Sequence, residues 1–370
     1  MKSTLLLTAC LFALIVSSPA QGLPPGVQAL RDIPYVENGH ERQKLDLYLP
    51  EQASKPLPLL IWIHGGGWQN GSKEGCPFAR QGHLQKGYAV ASLNYRLTGD
   101  APFPAQIEDC KAAIRWLRAH AEEYGLDAKA FGVGGSSAGG HLVALVGTSG
   151  GVREFDVGQH LDMSSAVQAV YDLYGPTDLI RFGQTPGYES HATAESPEGK
   201  LLGGAPAQMK EAAAKANPIT HIDANDPPFL IVHGDADPTV PINQSESLYA
   251  ALVEAGIPTR FITIQGGGHG RGFPSEPLVE IANVFFDKNL RGNAEAADWP
   301  KAMTSELKAA AANLQRPDNA RPRIPFAILQ RREDTNGDGQ ITRDEFKGPP
   351  AIFDHLDKNG DQVLTKSDWE

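Results

Sequence analysis

The sequence predicts an α/β chain: a mostly parallel sheet with helices on both faces, followed by a small, acidic, helical module at the C-terminal end. Three observations predict it. Short apolar runs alternate with stretches of helical periodicity, the pattern of strands joined by crossover helices. Several of those runs end in glycine-rich turns, and functional residues of parallel sheets gather at such strand ends. After about Gly292 the character changes, first to an Ala-, Asn-, Pro- and Arg-rich stretch and then to an acidic one.

The elements follow in order. A Pro-rich start leads into Gln43-Lys44-Leu45-Asp46-Leu47-Tyr48-Leu49, whose alternation suits a half-buried strand. Residues 59–64 and 88–94 are two further strand-like runs. Residues 105–120 read as a helix with Ile107, Cys110, Ile114 and Leu117 on one side. Residues 130–133 form a run closed by Gly134 and Gly135. Gly139 and Gly140 then open a helix carrying Leu142, Val143 and Leu145. Residues 167–173, 229–232 and 260–264 read as strands, and 245–255 and 278–290 as helices. Residues 180–217 break the rhythm: they are long and polar, with a helical piece at 207–216. Such a stretch is either a lid or binding segment or a surface excursion. The domains expected are therefore 21–292, a linker at 293–323, and 324–370.

Composition limits the function. The chain has 370 residues, is 41% hydrophobic and 21% charged, and carries a formal net charge of −11. That charge argues against binding to nucleic acid and gives no reason to expect adhesion to an anionic membrane. Lys2, the apolar run at 5–16 and Ser18-Pro19-Ala20 form the pattern of a secretory signal peptide cleaved after Ala20. The apolar run is short for a membrane anchor, and short before Cys10 for lipoprotein processing. The mature chain is expected to be secreted or periplasmic. It keeps Cys76 and Cys110, which in an oxidising compartment either form a disulfide or remain two buried thiols.

Four local signals carry chemistry. His64-Gly65-Gly66-Gly67-Trp68 follows an apolar strand. Consecutive glycines let backbone N–H groups approach a substrate oxygen on which negative charge develops, and Gly66 and Gly67 are the expected donors. Gly135-Ser136-Ser137-Ala138-Gly139 sits between strand and helix. A Gly-x-Ser-x-Gly there forms a tight turn that projects a nucleophilic hydroxyl above a helix N-terminus. Ser137 lies between the spaced glycines; Ser136 is its rival. The N–H of Ala138 completes the oxyanion hole.

A serine nucleophile needs a histidine base, and the base needs a carboxylate. His233-Gly234-Asp235-Ala236-Asp237-Pro238 follows another apolar strand and offers Asp237 as the acid, with Asp235 as competitor. Asp178, at a different strand end, reads as structural or substrate-proximal. Gly266-Gly267-Gly268-His269-Gly270 follows the last strand and places His269 as base. His141, on the helix behind the serine, reads as structural. The order Ser137, Asp237, His269 is the Ser…Asp…His order of one fold class.

On these motifs, residues 40–290 resemble the α/β-hydrolase superfamily. Within it they are similar to bacterial carboxylesterases with a His-Gly-Gly-Gly-Trp loop, near the hormone-sensitive-lipase-like and feruloyl/acetyl-xylan-esterase-like groups. The resemblance implies a serine esterase working through an acyl-enzyme, without a cofactor for the chemistry, on short-acyl or aryl esters such as acetyl or feruloyl groups on polysaccharides. Hormone-sensitive-lipase-like members usually carry a longer helical cap before the glycine loop. This chain has strand-like sequence there, which favours the open polysaccharide-esterase type. The rivals are a serine peptidase of the same fold, which would need a large extra domain, and a calcium-dependent binding protein with a degenerate hydrolase core.

In the acidic tail, Asp334 to Glu345 fits the twelve-residue calcium loop, with oxygen ligands expected at Asp334, Asn336, Asp338, the Gln340 carbonyl, Thr342 and Glu345, and Gly339 at the sharp turn. A second loop offers Asp357, Asn359, Asp361, Val363, Thr365 and Asp368. There Gln362 replaces the turn glycine and Asp368 the longer glutamate, so weaker binding is expected. The tail resembles EF-hand pairs, with very short helices between the loops. A dockerin-like role toward a protein partner is the alternative.

Overall fold

The computed structural model describes residues 23–293 except 55 and 274, and in the tail residues 330, 334–346, 353, 356–357 and 359–368. The leader at 1–20, with Cys10 and Ala20, lies outside the described residues, as does nearly all of the linker. The chain divides into two compact units, Met1–Leu314 and Gln315–Glu370.

The first unit is built on an eight-stranded sheet. Its strands are β1 (Val27–Pro34), β2 (Lys44–Pro50), β3 (Leu57–Ile63), β4 (Ala89–Leu93), β5 (Leu126–Ser136), β6 (Ala169–Leu173), β7 (Phe229–Gly234) and β8 (Thr259–Ile264). They lie in the order β1-β2-β4-β3-β5-β6-β7-β8. From β4 to β8 every pairing is parallel; β1 on β2 and β2 on β4 are antiparallel.

The helices between them are α1 (Ala105–Ala119), α2 (Ala121–Tyr124), α3 (Ala138–Thr148), α4 (Leu179–Gln184), α5 (Pro197–Leu202), α6 (Lys210–Ala216), α7 (Asn243–Glu254) and α8 (Ser275–Arg291). Successive side chains of a strand point to opposite faces. Leu57, Leu59, Ile61 and Ile63 of β3 accordingly enter one core with α1 and α3, whereas Leu60 and Trp62 enter a second core on the other face. Helix α8 covers that second core with Leu278, Ile281, Ala282, Phe285 and Phe286, one stripe at helical spacing.

The structure adds to or decides the sequence expectations in three places. Strand β1 was not anticipated. It is a charged edge strand, half exposed, with a bulge between Leu30 and Ile33, so its apolar alternation is broken. Residues 180–217 contain the helical piece expected at 207–216, which is α6, and also α5 and most of α4, with a 3-10 turn at Glu189–Ala192 between α4 and α5. The disulfide left open above is absent. Cys76 belongs to one core and Cys110 to the other, across the sheet, and both are free.

The tail unit pairs β9 (Ile341–Thr342) with β10 (Val363–Leu364) in an antiparallel bridge. Ile341, Leu364 and Phe353 form its small buried core. Most of the stretch between the two loops, where short helices were expected, lies outside the described residues.

Candidate active site

The sheet brings four strand ends together. Ser137 follows β5 directly and begins α3, with φ 56° and ψ −124°. A non-glycine residue in that region stores on the order of 1–3 kcal/mol of strain, held here by bonds on both sides: its N–H donates to the Leu173 carbonyl (2.9 Å) and its carbonyl accepts from His141 (3.0 Å). The flanking glycines are required by backbone contact. A Cβ at Gly135 would overlap the Gly139 carbonyl, and one at Gly139 would overlap the Ile63 carbonyl. Ser136 is the last residue of β5, and its side chain is hydrogen-bonded to Tyr174.

Ser137, His269 and Asp237 form one hydrogen-bonded row. His269 Nε2 lies 2.9 Å from Ser137 Oγ, and its Nδ1 lies 2.8 Å from Asp237 Oδ2. The carboxylate can only accept, so Nδ1 carries the hydrogen and Nε2 is left to accept from the serine hydroxyl. The Asp237 side chain is fully buried, whereas that of His269 is about a quarter exposed. Asp237 Oδ1 accepts from the N–H groups of Thr239 (2.7 Å) and Val240 (3.0 Å). Burial pushes the Asp237 carboxyl up, but donors from His233, His269, Val240 and Thr239 outweigh it and hold the group below the usual carboxylate range.

The competing residues fall elsewhere. Asp235 accepts from the Gly266 N–H at an exposed position. Asp178 caps α4, accepting from Ile180 (3.1 Å) and Arg181 (2.9 Å). His141 is fully buried, its Nε2 donating to the Ala216 carbonyl (2.7 Å), and burial pushes the ring down to about 4.

The glycine loop runs against the elbow: a Cβ on Gly65 would stand 2.5 Å from the Ser136 carbonyl oxygen and 3.2 Å from Ser137 Cβ. Among the described residues, no backbone acceptor is paired with the amides of Gly66 and Gly67. Ala138 opens α3, where the first N–H groups have no helical acceptor. The loop is clamped from behind. His64 Nδ1 donates to the Gly65 carbonyl (2.8 Å), and its Nε2 faces Arg42 Nη2 (3.3 Å). Arg42 also donates to the carbonyls of Gly71 and Tyr95, and the Tyr95 ring stacks on His64 at 4.4 Å. Burial pushes His64 down to about 4, so it is neutral at working pH and free to accept from Arg42.

Four side chains of the site had no role assigned from sequence. Arg42 and Tyr95 carry no sequence signal, because their contacts to His64 join distant segments. Tyr174, with φ 46°, directly follows β6 and packs its ring on His269 at a centroid distance of 4.7 Å; its position just beyond a strand end was the available clue. Tyr188, in the 180–217 segment, donates to the main-chain carbonyl of Asp237. That segment also meets the glycine loop, since Pro197 Cβ lies 3.4 Å from where a Cβ on Gly67 would stand. It therefore touches the site at both the acid and the oxyanion loop.

In the tail, the two loops share one hydrogen-bond pattern. Asp334 accepts from the N–H groups of Gly337 and Gly339, and Asp357 from those of Gly360 and Gln362. Asn336 and Asn359 accept from Asp338 and Asp361, which in turn accept from Gln340 and Val363. Glu345 and Asp368 reach back to Thr342 and Thr365. Bonds from the Thr342 main chain and hydroxyl draw the Glu345 carboxyl down to about 2. Gln362 takes the left-handed conformation (φ 67°) that Gly339 takes in the first loop (φ 88°). Among the described residues, no three His, Cys, Asp or Glu side chains converge closely enough to hold a metal ion.

Comparison with known proteins bears on the hydrolase unit. The BD-FAE family model matches residues 45–252, more than half of the chain, and ends well before the acidic tail. Esterase LipC of Mycobacterium tuberculosis is 29% identical over 77% of this chain and 73% of its own length. The probable carboxylic ester hydrolase LipM of the same organism is 32% identical over 60% of this chain, but the match spans only 51% of LipM. Among solved structures, a bifunctional GH43-CE of Bacteroides eggerthii is 39% identical, with a TM-score of 0.65, over 70% of this chain and 38% of that one. A truncated carbohydrate esterase from gut microbiota is 32% identical, with a TM-score of 0.65, over 74% of this chain and all of that one.

Proposed function

The chain belongs to the BD-FAE family and its hydrolase unit is a carboxylic-ester hydrolase; from that premise we propose that it is an exported serine esterase acting on short-acyl or aryl esters, with acetyl or feruloyl groups on polysaccharides as natural substrates. The observation that carries this reading is the row from Ser137 through His269 to Asp237. Ser137 Oγ attacks the ester carbonyl carbon while its proton passes to His269 Nε2. The carbonyl oxygen gains the negative charge, and the N–H groups of Gly66, Gly67 and Ala138 stabilise it. The carbon–oxygen bond to the alcohol then breaks, and His269 returns the proton to the leaving alkoxide. A water molecule, deprotonated by the same nitrogen, releases the acid from Ser137. Asp237 stays ionised and holds His269 in the tautomer this requires.

The polysaccharide assignment is supported by the carbohydrate-esterase neighbours, and export by the pattern of the first twenty residues. A panel of nitrophenyl acetate, longer nitrophenyl esters, acetyl-xylan and methyl ferulate tests the substrate. Turnover falling with acyl length and release of acetate or ferulate from the natural esters are expected; activity confined to long acyl chains would overturn the assignment. Ser137→Ala should cost at least about a thousandfold in kcat, and retained activity would remove Ser137 as nucleophile. Protein recovered from the producing cell's exterior or periplasm should begin at Gln21.

The tail is proposed to bind calcium. The donors are carboxylate, amide, hydroxyl and carbonyl oxygens, the set a hard divalent cation prefers, and the two loops repeat one backbone pattern. Asp334, Asn336, Asp338, Gln340, Thr342 and Glu345 would hold one ion, and Asp357, Asn359, Asp361, Val363, Thr365 and Asp368 a weaker one. A bound ion would stabilise the fold of this unit, and the ester cleavage described above needs none. Calorimetric titration of the full chain with calcium should show two sites of unequal affinity, with the tighter one lost in Glu345→Gln; no heat at either site would refute the assignment.

A further inference from the structure

The carboxylate of Asp237 takes two imidazoles, not one. His233, in β7, is fully buried behind the acid. Its Nε2 lies 2.9 Å from the Val240 carbonyl oxygen and 3.4 Å from Asp237 Oδ2, and its Nδ1 lies 2.7 Å from the hydroxyl of Ser245 on α7. Both groups facing Nε2 are acceptors with no hydrogen to give, so Nε2 carries the hydrogen and shares it between them. In the neutral ring, Nδ1 then accepts from Ser245. His233 is thus held at both nitrogens, and a five-member row runs from Ser245 through His233, Asp237 and His269 to Ser137.

Resting on the assignment of Ser137, His269 and Asp237 as the triad, we propose that His233 is a positioning residue for ester cleavage: it fixes Oδ2 of Asp237, the oxygen that holds the base, and tunes how strongly that oxygen holds it. Oδ1 is already committed to two backbone N–H groups. With the His233 N–H 3.4 Å from Oδ2, beyond its shorter contact to the Val240 carbonyl, the carboxylate is restrained from turning about its bond to Cβ. The shared hydrogen also draws charge from Oδ2, which weakens its stabilisation of protonated His269. Around this pair, Tyr174 packs at a tilt on His269 from the end of β6 and faces His233 at 6.3 Å, and Tyr188 bonds to the Asp237 main chain. Burial keeps both phenols protonated across the working range. Asp235 points to Gly266, and Asp172, bonded to Gly175, lies close enough to Tyr174 to raise its phenol.

Removing the His233 donor should have two effects that a loss of packing would not produce together. The freed carboxylate aligns His269 less well, so kcat falls by about tenfold, the scale of losing a group that orients another. Oδ2 gains charge, so protonated His269 is favoured and the acid limb of kcat/KM moves to higher pH, by about half a unit. The experiment compares His233→Leu, His233→Gln and Ser245→Ala in the full chain, with nitrophenyl acetate from about pH 4 to 9. Active sites are counted with a serine-directed phosphonate, and the low-field proton resonance of His269 Nδ1–H is followed by NMR.

His233→Leu should show the kcat loss per active site, the shifted limb and a displaced resonance. His233→Gln, which can again present an N–H toward Oδ2, should recover most of the limb position. Should His233→Leu not fold, Ser245→Ala releases the ring without touching Asp237 and should give a smaller effect of the same sign. Folded variants with an unmoved limb and resonance would reduce His233 to packing and overturn the proposal. Retained activity in Ser137→Ala would instead defeat the triad assignment on which it rests.

Discussion

Alanine at position 270 tests how the base is held. Gly270 directly follows His269 and has φ +71°. A Cβ there would stand 2.7 Å from the Tyr174 hydroxyl oxygen and 3.2 Å from Cζ. The left-handed backbone alone costs alanine about 1–2 kcal/mol. The phenol cannot retreat freely, because it is bonded to Ser136 and its ring is packed between His269 and Phe273. The loop carrying His269 must move instead, and that lengthens the 2.9 Å contact to Ser137. A displacement approaching 1 Å costs up to about a hundredfold in rate, so Gly270→Ala should lose about 30- to 100-fold in kcat/KM. In Tyr174→Phe the nearest atom becomes Cζ, a tight contact but one that a small ring shift relieves. That variant alone should lose only about threefold, and the double variant should recover about tenfold over Gly270→Ala, about thirtyfold above the product of the singles and so a coupling of about 2 kcal/mol. The assay is kcat/KM on nitrophenyl acetate per titrated active site, with melting curves for all four proteins. A double variant no better than the product of the singles would show that backbone strain, not the phenol, accounts for the loss.

Three further outcomes follow from the same geometry. Asp172 is wholly buried with one oxygen unpartnered, and burial pushes it up to about 7 against the Gly175 N–H. The folded state therefore holds a proton the unfolded chain releases near pH 4, and stability should fall as pH rises from about 4 to 7. Urea melts of Asp172→Asn should show less of that loss, and an identical pH dependence would place the proton elsewhere. Burial pushes Cys76 up to about 11 and Cys110 well above its ordinary value, so a thiol reagent should find neither reactive in the native protein and both after denaturation without reductant. Gln362→Gly should relieve the left-handed residue of the second tail loop and tighten the weaker of the two proposed calcium sites by about fivefold.

The parts of the site legible in the sequence are those where chemistry and local backbone make the same demand. Gly135 and Gly139 are glycine because carbonyls crowd their Cβ positions, and that crowding is what puts Ser137 on a sharp turn. One local pattern therefore reports both fold and nucleophile. The same holds for the turns after β7 and β8, where Asp237 and His269 sit close to strand ends that any parallel sheet brings together. The illegible parts are contacts made through space by residues whose own segments ask nothing special of them. Arg42 reaches His64 from the turn before β2, and no spacing or periodicity marks it.

The two cysteines show where that boundary falls. Cys110 belongs to the helical stripe of Ile107, Ile114 and Leu117, and the stripe places it in the core under α1. Cys76 lies in a loop with no period to read, so only the folded chain places it on the opposite face of the sheet. His233 stands on the same boundary. The apolar strand before it predicts a buried imidazole, and a buried imidazole must find partners for both nitrogens. Its own motif supplies Val240 and Asp237, but Ser245 comes from the next helix and only the fold brings it into reach. The sequence thus shows that this histidine needs a role, and the packing of α7 against β7 decides that the role is to hold the acid.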